Sequence, residues 1–178
     1  WHKGIFIMAT NLQFIKQVTA SSGVSFLDTP DLFSADYDVY FFQITDFNVS
    51  ADEVFELKFL NSSNAVIESN YDWASLQLKS NTSFAEQKNT NRPKIDFISE
   101  LDGDDEKNTG ISGYIYNPYL SSSYTFGNVQ SSGMDSSNLM GSKGIFVHKN
   151  AEQINGLRLA PQFPVTITSL VVNFYGVK

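Results

Sequence analysis

A chain of 178 residues can bury a core large enough for one domain, and because it lacks cysteine, disulfides, thiolate metal sites and cysteine nucleophiles are excluded. The formal net charge of -7 at pH 7 would repel phosphate backbones, so we predict no nucleic-acid partner. Aromatic residues make up 14% of the chain and charged residues only 17%, a balance that favours sheets joined by polar turns.

The first ten residues differ in character from the rest of the chain. Met8-Ala9-Thr10 resembles a translational start, so we expect residues 1–10 to form an N-terminal extension or arm. Residues 11–178 are then predicted to form a single β-sandwich domain. No run of about 18 apolar residues occurs, which predicts no membrane insertion.

Early in the domain, Asp36–Asn48 is an aromatic and β-branched run. It places Tyr37, Val39 and Phe41 on one face and Tyr40, Phe42 and Ile44 on the other. Because both faces are apolar, the pattern predicts a central strand that is covered on both sides.

Two further segments show the two-residue period of a half-buried strand. In Glu53–Leu60, apolar Phe55, Leu57 and Phe59 alternate with Glu56 and Lys58. In Tyr71–Lys79, apolar Ala74, Leu76 and Leu78 oppose Ser75, Gln77 and Lys79. The same logic predicts that the apolar set of each strand faces the core.

Helical signals are few. In Thr29–Phe33, a threonine can cap a first turn and Pro30 suits its first position, so we predict one short helical turn there. Phe84–Lys88 is a second candidate. Loops are predicted where Ser, Asn and Gly accumulate, namely at 61–64, 80–83, 121–123 and 130–142.

The C-terminal third predicts three strands, at Lys143–Lys149, Gln153–Leu159 and Val165–Val177, separated by polar or proline-bearing breaks. Around ten short strands with frequent turn signals favour two packed antiparallel sheets. The predicted fold class is therefore an all-β antiparallel sandwich, in particular a jelly roll, with one or two short helical turns.

Candidate chemistry is sparse. The acidic segment Glu100–Glu106 offers the oxygen ligands that calcium prefers, but its spacing does not fit an EF-hand. His148 lies on a predicted strand, where an exposed or hydrogen-bonded role is expected, and no nucleophile elbow accompanies it. Carboxylates that could pair for glycoside hydrolysis are Asp36, Asp38, Asp46, Asp72 and Asp96, without an identifying spacing. We therefore predict no enzyme, catalytic residue, metal or cofactor.

The most suggestive binding feature is Tyr114–Tyr119 with the serine run that follows it. Tyrosines stack on sugar rings and anchor protein interfaces, so interface or glycan contacts are assigned to Tyr116, Tyr119, Tyr124 and Phe126. Packing of the same side chains into a core is the competing interpretation, and both remain open at this point.

Four stretches resemble a family of small virion proteins of tailed bacteriophages, especially marine ones, with a jelly-roll-like domain in fibre, tail or head-decorating proteins. The stretches are 34–40, 114–119 with its serine run, 144–156 and 171–178. The resemblance implies a virion structural protein that contacts other virion proteins. A symmetric homo-oligomer, such as a trimer, is predicted because it would bury unpaired sheet edges that otherwise invite aggregation. The alternative is a carbohydrate-binding or receptor-binding module that recognises a host surface glycan.

Overall fold

The computed structural model describes residues 11–101, 110–135 and 137–178; for residues 22, 97–101 and 135 it describes the backbone alone. These residues contain twelve strands and no helix. The strands are β1 (Leu12–Val24), β2 (Leu27–Thr29), β3 (Val39–Val49), β4 (Glu53–Asn61), β5 (Tyr71–Lys79), β6 (Ala85–Arg92), β7 (Ile95–Leu101), β8 (Gly110–Tyr116), β9 (Thr125–Asp135), β10 (Asn138–His148), β11 (Ile154–Pro161) and β12 (Ile167–Val177). The described part of the chain therefore contains no helix that could span a membrane.

All strand pairs are antiparallel, and they form two sheets. The large sheet has eight strands in the order β1-β12-β3-β8-β9-β10-β5-β6, and the small sheet has four in the order β2-β11-β4-β7. The inner faces of the two sheets pack together, which confirms the predicted all-β sandwich. The finer assignment to a jelly roll stays a prediction.

The core lies between the sheets and is rich in aromatic side chains. Phe55, Leu57 and Phe59 of β4 are fully buried, as their alternation predicts, and they meet Phe42 and Phe146 of the large sheet in one apolar cluster. Such side chains supply the apolar area whose removal from water drives folding. Strand β3 is central, between β12 and β8, as predicted.

Both predicted helical turns are wrong. Thr29 ends β2, and the next two residues form a turn in which Asp31 has a positive φ of 53°, outside the range of a right-handed helix. The second candidate, Phe84–Lys88, enters strand β6, which pairs along β5. In the first segment the N–H groups of Leu32 and Phe33 donate to the Asn155 carbonyl of β11 instead of closing a helical turn. In the second, pairing with β5 satisfies the backbone better than one isolated turn could.

Three predictions about faces and loops also need correction. On β5 the assignment is inverted: Tyr71, Trp73 and Ser75 are buried, whereas Leu76 and Leu78 lie exposed on the outer face. Likewise, the outer face of β3 is only half-buried at Phe41. Finally, the predicted loop over 130–142 falls mostly within the β9–β10 hairpin, where the hydroxyls of Ser131 and Ser142 lie 2.9 Å apart across the strands.

Tyr71 links strand β4 to the segment that follows it. Its buried hydroxyl accepts a hydrogen bond of 2.9 Å from the Phe59 N–H and donates one of 3.2 Å to the Ile67 carbonyl. Burial raises the pKa of Tyr71 well above its usual value, because the ionised phenolate would lose its hydration.

The variant Tyr71→Phe is expected to lose about 1–3 kcal/mol of unfolding free energy, because it leaves the buried Phe59 N–H without an acceptor. The raised pKa also gives the wild type a stability term that is complete below about pH 10 and lost above it, as the unfolded tyrosine ionises. Urea unfolding at pH 7 and pH 10.5 measures both effects. The exposed Tyr124→Phe is the control and should change stability by less than about 0.5 kcal/mol; equal losses in the two variants would contradict the expectation.

Candidate binding face of the large sheet

The outer face of the large sheet carries a continuous row of side chains, one from each strand. The strand registers align the following residues from β1 to β6: Phe14, Tyr175, Phe41, Tyr114, Asn128, Ile145, Ala74 and Lys88. Phe14 is 60% and Ile145 65% exposed. No described residue covers this face, and large side chains that remain this accessible mark a candidate interaction surface.

Half of this row consists of rings in mutual contact, and we call these four residues the aromatic row. Phe14 meets Tyr175 at 5.7 Å between ring centroids, Tyr175 meets Phe41 at 5.9 Å, and Phe41 meets Tyr114 at 5.0 Å. These separations are typical of favourable aromatic pairs. The rings therefore hold one another in place before any partner binds.

The other half of the outer face forms a groove. Two adjoining hollows of about 830 and 750 Å³ share Tyr116, Asn128, Ile145 and Ala74 in their walls and floor, and each is within the size range of ligand-binding sites. Lys88 of β6 lines the same space as Tyr116 of β8, although three strands separate them. The large sheet must therefore curve, so that β6 forms one wall and β8 the other.

The floor of the groove combines apolar and polar groups. Phe126 is 48% exposed and stands directly opposite Tyr116 in the β8–β9 register. The Asn128 side-chain amide donates a hydrogen bond of 2.8 Å to the Tyr116 hydroxyl. This bond fixes the orientation of the phenol ring and leaves the amide oxygen of Asn128 available to a ligand.

The end of the groove near β6 is held by a charged cluster. Asp72 accepts a 2.8 Å hydrogen bond from the Asn91 N–H and forms a 2.9 Å ion pair with Lys149. The hydrogen bond and the lysine lower the pKa of Asp72, so the carboxylate stays ionised and paired at neutral pH. Lys149 also donates to the Asn91 side chain at 2.6 Å, which ties β6 to the loop after β10.

The structure brings together two of the four residues that the sequence assigned to binding. Tyr116 and Phe126 line the groove. Tyr124 is exposed on the loop between β8 and β9. Tyr119 is partly buried and packs against the core. Sequence reasoning missed Phe14, Tyr175 and Lys88, because only the strand register reveals that they belong to the same face.

His148 is fully buried on β10. Its Nε2 lies 2.8 Å from a Glu152 carboxylate oxygen, and its ring packs against Tyr71 at 5.0 Å. The predicted hydrogen-bonded role of His148 is confirmed. This contact ties the end of β10 to the segment that leads into β11.

The other candidate residues for metal binding or catalysis make structural contacts or lie outside the described residues. Among the described residues, no group of three or more His, Asp or Glu side chains could hold a metal ion. Asp46 accepts a hydrogen bond from Ser169, and Asp96 lies 3.8 Å from Lys94. Most of the acidic segment Glu100–Glu106 lies outside the described residues, as does the predicted arm over 1–10.

No family model, curated protein or solved structure matches this chain.

Proposed function

We propose that this chain is a structural protein of a tailed-bacteriophage virion, a capsid decoration, tail or fibre component that works through protein–protein contacts rather than turnover. The observation that carries the proposal is the aromatic row, which is preordered by its own ring contacts and uncovered by any described residue. Ordered aromatic clusters are the usual anchors of protein interfaces.

The four stretches that resemble phage virion proteins meet in space, which supports the resemblance. The Asn117 N–H donates to the Asp38 carbonyl at 2.7 Å, joining the first stretch to the second. The Ile154 N–H donates to the Pro118 carbonyl at 2.8 Å and joins the third. Gly176 pairs with Tyr40 and joins the fourth. Segments that are separate in sequence thus form one structural unit beside the aromatic row.

Strand β1 provides a reason for oligomerisation. It is 13 residues long, lies at one edge of the large sheet and pairs only with β12 among the described residues. An open edge of this length invites pairing with another chain. A symmetric homo-oligomer, such as a trimer, would cover this edge together with the neighbouring Phe14 and Tyr175.

Two measurements test the assembly role. Mass spectrometry of purified particles of the encoding phage should detect the chain, and antibody labelling should place it on the particle surface or tail.

In sedimentation experiments, the wild type should be oligomeric, and the double variant Phe14→Ser with Tyr114→Ser should shift towards monomer. The control Phe84→Ser alters a side chain that is as exposed as Phe14 and directly precedes β6, the edge strand opposite β1 in the large sheet. Particles without the chain would refute the virion role, and an unchanged distribution in the double variant would refute the aromatic row as the contact.

A second candidate is a carbohydrate-binding or receptor-binding module that recognises a host surface glycan. The groove favours it specifically, because Tyr116 and Phe126 offer flat apolar faces beside the amide of Asn128. Sugar recognition requires this pairing of ring-stacking surfaces with hydrogen-bonding side chains.

A further inference from the structure

The groove is lined by more positive than negative side chains, in contrast to the chain as a whole. The sequence carries a formal net charge of -7, yet Lys88, Arg92 and Lys143 all line the groove and form no ion pair among the described residues. Lys58, Lys94, Lys149 and Arg158 are paired with carboxylates. The other described cations without an ion pair are Lys16, Lys79 and Lys178, so three of the six unpaired cations in the described part of the chain line this one groove.

Acidic groups in the groove do not offset these cations. Asp72 is already paired with Lys149 at 2.9 Å. Glu86, on the wall formed by β6, is the remaining carboxylate that lines the two hollows. A ligand lying along the groove would meet three free cations and one free carboxylate, which favours an anionic ligand.

The backbone of the floor argues against a peptide ligand. Strands β9, β10 and β5 are each paired on both sides, so their N–H and C=O groups are used within the sheet. An extended peptide gains much of its affinity from main-chain hydrogen bonds at a free edge, and the floor offers none. A saccharide needs only ring-stacking faces and side-chain donors, and the floor has both.

From these observations we infer that the groove binds an acidic polysaccharide. Sugar rings stack on Tyr116 and Phe126, the Asn128 amide oxygen accepts a hydroxyl hydrogen, and Lys88, Arg92 and Lys143 pair with carboxylate or sulfate groups on the sugar. The inference rests on the second proposed function and specifies its ligand. A single-stranded nucleic acid is also a polyanion whose rings stack on aromatic side chains, so an oligonucleotide is included among the probes.

Isothermal titration calorimetry with three probes of similar length tests the ligand class: oligogalacturonate for carboxylates, sulfated maltohexaose for sulfates and maltohexaose for a neutral sugar. We expect one or both acidic probes to bind at least tenfold more tightly than the neutral sugar. Affinity should fall as salt increases, because screening weakens the ionic contacts. A single-stranded oligonucleotide is the fourth probe and should bind more weakly than the preferred sugar.

Variants locate the site. Lys88→Gln combined with Arg92→Gln should weaken binding of the acidic probe at least tenfold and leave the neutral probe unchanged. Phe126→Ala should weaken binding of the acidic probe by a similar factor, through lost stacking. The matched controls are Lys79→Gln and Phe84→Ala, an unpaired cation and an exposed ring that line neither hollow, and they should bind as the wild type does.

The outcomes separate this inference from the functions proposed above. Tight binding of the neutral sugar with no effect of the charge variants would refute the acidic ligand while retaining glycan recognition. Absence of binding to all three sugars, or equal losses in groove and control variants, would refute the inference and glycan recognition together. Stronger binding of the oligonucleotide than of any sugar would refute the acidic polysaccharide as the ligand of the groove. The particle measurements decide the virion role independently of these results.

Discussion

Replacing Phe59 by alanine is expected to lower the free energy of unfolding by about 3–5 kcal/mol, the range for aromatic truncations in protein cores. Phe59 is fully buried on the small sheet and packs against Phe146 of the large sheet at 6.1 Å and against Tyr71 at 5.9 Å. Its removal opens a cavity where the two sheets meet, and the strands, held by their ladders, can close it only in part.

Urea unfolding followed by circular dichroism measures this loss. Because domains are stable by only about 5–15 kcal/mol, the variant should lie close to its unfolding threshold. Phe84→Ala is the control, since Phe84 is 64% exposed, and it should change stability by less than about 0.5 kcal/mol. A loss below about 1 kcal/mol for Phe59→Ala would show that the sheets close over the cavity, and would contradict the role assigned to this ring.

Strand β4 shows what a two-residue period can predict. Its charged residues Glu56 and Lys58 cannot both be buried without large cost, so they fix which face is turned outward. The opposite residues, such as Leu57, must then face the core, and the structure confirms it. Here the period and the sense of the faces follow from the sequence alone.

Strand β5 shows where the same reasoning fails. Both of its faces carry large apolar side chains, Trp73 on one and Leu76 on the other. The alternation therefore indicates a strand but not which of its faces is buried. Tertiary contacts decide this, because the Tyr71 hydroxyl accepts a hydrogen bond from the Phe59 N–H across the core. The exposed leucines then extend the outer face, which the sequence could not reveal.

The sequence predicts which kinds of residue form the candidate site, but it does not predict how they are arranged on the sheet. Tyr116 and Phe126 attract notice because their flat rings can stack on a sugar or anchor an interface, and because they lie close to a predicted polar loop. That they share the outer face with Phe14 depends on strand pairs that join residues more than 100 positions apart. That they share it with Lys88 depends on the pairing of β10 with β5 and of β5 with β6. Propensities of single segments hold no information on such register. The groove therefore emerges only from the assembled sheet.

Substituting alanine for Gly156 is expected to cost about 3 kcal/mol, the upper end of the usual penalty for overpacking. A Cβ atom at Gly156 would overlap the carbonyl group of Thr29 and crowd the Cα of Pro30. Both neighbours are backbone atoms, so no change of rotamer can relieve the overlap. The strands β2 and β11 would have to separate.

Separation at this point should release β2 from the small sheet. Strand β2 pairs with β11 through three residues only, and the Thr29 hydroxyl accepts a hydrogen bond from the Leu157 N–H and donates one to its carbonyl, each 3.1 Å long. Both bonds would lengthen if the strands moved apart. The Leu157 amide should then exchange with deuterium much faster in the variant than in the wild type, because its protection depends on Thr29.

Thermal unfolding and amide exchange together test this expectation, and Gly110→Ala is the matched control. A Cβ atom at Gly110 would lie 3.7 Å from its nearest neighbour, the Ser132 hydroxyl, an ordinary contact distance. For a chain of this length, 3 kcal/mol corresponds to a decrease of about 6–12 °C in Tm for Gly156→Ala, with little change for Gly110→Ala. If Gly156→Ala kept both its Tm and the protection of Leu157, the close approach of β2 and β11 would be refuted. If both variants lost stability equally, the cause would be a general intolerance of strand glycines to substitution, not the contact with Thr29.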